Sequence, residues 1–124
     1  MAIVKYREGT LDGFKNGFDR SYKLRFYSAA VLSETGSIGD FTEATGTNYS
    51  EIQIDWVDAT VSWDVGESKY KAVWAAQVWT DIASFNGTGW YIVNDLGTFV
   101  FSAEAVALGT DYSELSITPT ILLG

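Results

Sequence analysis

The sequence predicts an all-β protein, an antiparallel β-sandwich carrying an irregular N-terminal arm. Three observations predict it. Glu51, Gln53 and Asp55 alternate strictly with Ile52, Ile54 and Trp56, which is the period of a half-buried strand. Trp90–Val93 and Thr98–Phe101 flank Asn94-Asp-Leu-Gly97, a hairpin whose loop places Gly97 where a type I turn hands over to a left-handed residue. Short runs of this kind, separated by turn signals, recur seven or eight times, and a jelly roll is the natural topology for such spacing.

Taken in order, residues 1–21 read as the arm and 22–124 as the sandwich domain. Residues 9–20 are the one stretch suited to a short helix or irregular turn. Gly13 and Gly17 argue against a stable helix, at about 1 kcal/mol each relative to Ala. If a turn forms, Phe14 and Phe18, four residues apart, can both face the core. Tyr22, Leu24 and Phe26 then alternate with Lys23, Arg25 and Tyr27. A long polar loop follows, for which Gly39, Gly46 and Asn48 can supply unusual backbone angles. Ser50–Trp56 and Thr60–Trp63 are strands, and Asp64-Val-Gly-Glu-Ser is a turn. Lys69–Thr80 reads as one long aromatic-rich strand, although Ala72, Ala75 and Ala76 leave a helix open. Glu114–Thr118 alternates again, and Pro119 marks an edge or a strand break.

Composition removes several function classes. The 124 residues suffice for one domain with its own core, and 47% hydrophobic content with 15% aromatics excludes intrinsic disorder. There is no cysteine, hence no disulfide, thiolate metal site or cysteine nucleophile. There is no histidine, hence no Ser-His triad and none of the commonest zinc ligand. No apolar run reaches the ~18 residues of a membrane span. The first residues lack the order of a signal peptide, so the expectation is a soluble chain made in a cytoplasm.

The net charge of −8 is unevenly placed. Residues 1–25 hold six basic groups (Lys5, Arg7, Lys15, Arg20, Lys23, Arg25) against three acids, a net +3; the rest holds two lysines against thirteen acids, a net −11. An acidic body argues against nucleic acid as a partner, because phosphate affinity comes from Lys and Arg. The basic segment is either neutralised by its own domain or reaches an acidic neighbouring subunit.

Acids cluster as Asp40 with Glu43, as Asp55, Asp58 and Asp64, and as Asp111 with Glu114. Paired carboxylates can hydrolyse glycosides or hold calcium. None of these clusters has the spacing of an EF-hand loop, and solvated turn acids account for them. Five tryptophans (Trp56, Trp63, Trp74, Trp79, Trp90) could stack on sugars, but aromatics this dense more often fill a sandwich core or a subunit interface. No catalytic residue, metal site or cofactor is predicted.

Several short motifs resemble those of a family of small structural proteins of tailed bacteriophages, the capsid decoration (cement) proteins. They are Leu24-Arg-Phe-Tyr27, Asp40-Phe-Thr-Glu-Ala-Thr-Gly46 with Tyr49, Ala72 to Val78, Gly89-Trp-Tyr-Ile-Val93, Gly97 to Glu104, and Leu115-Ser-Ile-Thr-Pro-Thr120. The resemblance implies a β-sandwich on the virion surface, non-enzymatic, trimeric, and bound to the major capsid protein, with no membrane partner. The chain departs from the pattern in its glycine-broken, basic N-terminal segment and in the tryptophan content of 69–80. Phe14, Phe18, Trp74 and Trp79 are the expected interface residues. The alternative reading is a carbohydrate- or receptor-binding module of a tail spike or fibre, which an exposed tryptophan row beside acids would favour. A small glycosidase stands third.

Overall fold

A computed structural model describes residues 3–123. It is 49% strand and 13% helix, with antiparallel sheets packed face to face, so the all-β sandwich expected from the alternations is the fold. The elements are β1 (Val4–Lys5), α1 (Arg7–Asn16), β2 (Ser21–Ala30), β3 (Phe41–Glu43), β4 (Ile52–Asp55), β5 (Thr60–Asp64), β6 (Lys69–Val73), β7 (Gln77–Ile82), β8 (Gly89–Asn94), β9 (Val100–Ala105), β10 (Tyr112–Ile117) and β11 (Thr120–Leu123). Single turns of 3-10 helix occupy Ile38–Asp40 and Trp56–Asp58. The sheets have six strands (path β1-β9-β8-β2-β3, with β4 also on β2), three (β11-β6-β5) and two (β10-β7), where a jelly roll has two sheets of four.

The segment expected to be one long strand over 69–80 is two. Trp74, Ala75 and Ala76 interrupt it, and β6 and β7 join different sheets. Pro119 breaks the opposite strand at the matching place: Val73 pairs with Thr120 on one side of the break and Gln77 with Ile117 on the other. The Trp74 N–H donates to the Pro119 carbonyl at 3.1 Å between them. Residues 69–82 and 112–123 thus form one antiparallel ribbon bent once, with Pro119 at the corner where a ladder donor is dispensable.

The core lies between the large sheet and this ribbon. Tyr22, Leu24 and Phe26 point into it from β2, as their alternation predicts, and meet Ile54, Trp74, Trp79, Phe85, Trp90, Ile92, Phe101, Leu115 and Ile121. Burying each such side chain stabilises the fold by about 1.5–3 kcal/mol. All six residues of β8 are buried, because the other face of the large sheet is covered too: Tyr6, Tyr27, Tyr91, Val93, Val100 and Ala103 form a second cluster under Ile38 and Phe41. Pairing shifts from Ile92–Ser102 to Val93–Val100, leaving Phe101 as the extra residue of a bulge, and Phe101 also enters the main core. Gly97 has φ +69°, as the hairpin requires.

The N-terminal segment corrects the expectation of an irregular arm. β1 pairs with β9, Tyr6 is buried, and ten residues form α1 despite two internal glycines. The glycines are the reason the helix fits. A Cβ at Gly9 would collide with the Val100 carbonyl and the Phe101 Cα, and one at Gly13 with the Phe18 ring. Close docking on β9 offsets the propensity cost that argued against a helix.

The polar stretch between β2 and β4 is ordered, but two of its glycines work differently from the sequence reading. Asn48 has φ +63°, whereas Gly39 and Gly46 are not in the left-handed region. Gly46 instead sits against Phe85, where a Cβ would be 3.1–3.3 Å from its neighbours.

Candidate functional site

Helix α1 is fastened by two of its acids. Glu8 in its first turn accepts the Val100 N–H at 2.7 Å; burial pushes this carboxyl up in pKa, against the pull of that hydrogen bond. Asp12, buried, pairs with Arg20 and accepts the Asn16 amide at 2.7 Å. The Arg20 guanidinium lies 5.2 Å from the Phe101 ring centroid and 5.8 Å from that of Tyr22, a cation–π arrangement over the edge of the core. Arg20 is therefore neutralised within its own domain. Lys23 and Arg25 are too, both pairing with Glu51 at 3.1 Å.

The helix held this way displays apolar residues outward. Phe14 is 69% exposed and rests edge-on against Phe18, 5.6 Å between centroids. Leu11, one turn earlier, is exposed and shares a shallow groove with Phe99, Glu8, Asp12, Lys15 and Asn16. Phe18 is half-buried against Trp56 at 5.6 Å and Phe101 at 6.3 Å, so it supports the helix more than it presents itself.

Trp74 and Trp79 do not form a surface, which corrects their assignment to an interface. Both are buried in the main core, and their indole N–H groups donate to the Asp55 and Ser50 carbonyls at 2.7 Å each. Trp90 is buried as well, with Nε1 3.2 Å from Glu104, and Trp56 is half-buried. Trp63 alone is open, at 52% exposure, in T-shaped contact with Tyr70 at 5.0 Å. Register places Val61, Trp63, Tyr70 and Ala72 on one face of the β5–β6 hairpin. Ala72 is buried in the core, while Val61, Trp63 and Tyr70 continue that face into the open. No row of exposed tryptophans exists.

The acids act mainly as local acceptors. Asp40 caps the Ile38–Asp40 turn through the Ser37 N–H at 3.0 Å. Asp55 accepts from Ser21 at 2.6 Å and Gln53 at 3.1 Å, which hold it below the usual carboxylate range. Asp64 accepts the Glu67 N–H at 3.0 Å and pairs with Lys71 at 3.3 Å, and is lowered likewise. Asp111 accepts the Ser84 N–H at 3.2 Å. Among the described residues, no three potential ligands gather around a point that could hold a metal ion. No helix among them is long and apolar enough to cross a membrane.

Sequence reasoning named Phe14 as an interface residue but also let it face the core with Phe18, which its 69% exposure corrects, and it missed Leu11, Phe99 and Tyr70. A helical reading of residues 7–16 would have found Leu11, three residues before Phe14. Phe99 and Tyr70 carry no such signal, since their exposure depends on which strand ends overhang the core. No protein-family model, curated protein or solved structure matches the chain.

Proposed function

We propose that this chain is a non-enzymatic structural protein of a tailed-phage virion, a decoration protein that binds the major capsid protein on the outer shell and stabilises the head. The observation that carries the reading is the outward display of Leu11 and Phe14 by a helix that Glu8 and Asp12 lock to the sandwich, beside the exposed Phe99 that precedes β9. Rigid apolar anchors bind without a large ordering cost. The motifs of 24–27, 40–49 and 115–120 supply the resemblance to decoration proteins. Exposed ion pairs contribute about 0–1 kcal/mol each, so the apolar side chains carry most of the attachment.

Recombinant protein added to particles lacking it tests this. Binding at a fixed copy number per particle, lost on Leu11→Ala with Phe14→Ala and only modestly weakened by salt, is the expected result. Particles that take up neither form would sink the reading. Deleting residues 1–20 is not an informative variant, because it removes β1 and the buried Tyr6 along with the surface.

A receptor- or carbohydrate-binding module is the second reading, favoured by the Trp63–Tyr70 pair alone. Glycan binding abolished by Trp63→Ala, with no uptake by particles, would select it.

A further inference from the structure

We infer that β5 is a self-association edge: two copies of this chain pair antiparallel along Thr60–Asp64 about a two-fold axis through Ser62. The inference does not rest on the capsid reading.

An exposed sheet edge offers unpaired N–H and C=O groups, and proteins blunt such edges with short strands, bulges, Pro or Lys. The path of the large sheet ends in β1 and β3, of two and three residues. β5 lacks these devices. It is five residues long, pairs only with β6, and does so in unbroken register. Thr60 to Trp63 contain no charge and no proline, and all four are exposed.

The strand is also complementary to itself. A two-fold axis through Ser62 pairs all five residues, setting Val61 opposite Trp63 of the second copy, Thr60 opposite its Asp64, and Ser62 opposite its Ser62. On one face, Val61 and Trp63 of both copies become contiguous, flanked by the two Tyr70 rings that already contact Trp63. Aromatic–β-branched pairs of this kind stabilise antiparallel ladders. The opposite face sets hydroxyls against hydroxyls and a threonine against a carboxylate, with no like charges opposed. Shifting the axis to Val61 or Trp63 shortens the ladder, and the Trp63 axis also sets Val61 against Val65. The product is a continuous sheet, β11-β6-β5 joined to β5-β6-β11, and a closed two-fold dimer. The family resemblance implies a trimer instead, so the assembly's mass distinguishes the two.

Native mass spectrometry of the purified chain should show a dimer. A strict monomer or a trimer overturns the inference. Ser62→Lys and Ser62→Glu each set like charges opposite one another and should give monomers, while an equimolar mixture should give the mixed dimer. Failure of the mixture to pair, with both variants retaining the β-type circular dichroism of the parent, also overturns it. Should either charged variant fail to fold, Ser62→Cys decides. Opposed Cα atoms lie ~4.5–5.5 Å apart, within disulfide span, and the chain has no other cysteine. Mild oxidation should give a covalent dimer from Ser62→Cys and none from Thr42→Cys on β3; equal cross-linking of both would refute pairing at β5.

Discussion

The phenolic oxygen of Tyr49 bridges the large sheet and the loop that leads back to it: it donates to the Glu43 carboxylate at 2.8 Å and accepts the Phe26 N–H at 2.9 Å. Its ring packs against Phe26 and Phe85. The 40–49 stretch is therefore a brace. Phe41 stacks on Tyr91 at 4.4 Å, and the Ala44 N–H donates to the Phe26 carbonyl at 2.9 Å.

Tyr49→Phe keeps the ring and removes both hydrogen bonds, leaving the Phe26 N–H without its acceptor. The expected loss is about 1–3 kcal/mol, read from urea denaturation. A variant as stable as the parent would mean that water replaces the hydroxyl.

Alkaline pH should unfold the protein cooperatively. Burial raises the pKa of Tyr22 to about 12, with Arg20 pulling partly the other way, and burial raises those of Tyr6, Tyr27, Tyr49 and Tyr91 as well. In the unfolded chain tyrosine ionises near pH ~10. The folded state thus keeps protons that the unfolded state releases, so this stabilisation is complete below about pH 10 and falls as pH rises through the folded values. Tyrosinate absorbance and circular dichroism should change together over that window. Ionisation of these five tyrosines with the fold intact would contradict it.

Gly9→Ala should destabilise although alanine favours helix by about 1 kcal/mol. Its methyl group meets the backbone of Val100 and Phe101, which cannot move aside as a flexible side chain would. Overpacking of this sort costs about 1–3 kcal/mol. Thermal unfolding measures the sign, and a raised midpoint would show that α1 can lift off β9.

Ile54→Asp should be severely destabilising. Ile54, on β4 beside β2, is buried in the main core, and a carboxylate there has no cation to pair with among the core residues. Ile54→Ala, which leaves only a cavity, should cost about 2–5 kcal/mol. Equal midpoints for the two variants would place residue 54 at the surface.

Where side-chain alternation was strong, the sequence sufficed. Tyr22, Leu24 and Phe26 point inward because a strand has period two, and Ile54 follows the same rule. The 94–97 turn, Pro119 as a strand break and the all-β class were legible for equally local reasons. Three things were not. The bend at Trp74–Ala76 has no local signature, since the aromatic run continues through it and only its pairing with a proline-broken partner splits it. Helix α1 contradicts its own propensity, because Gly9 answers to β9, some ninety residues away, and Gly13 to the Phe18 ring. The roles of the tryptophans were undetermined for the same cause: an identical side chain is core at Trp74 and surface at Trp63, depending on whether another sheet lies over it. Periodicity, turn chemistry and composition act between neighbours in the chain, and they determined the class and most strands. Which apolar residues stay outside is set by contacts distant in sequence, and only the tertiary structure decided that.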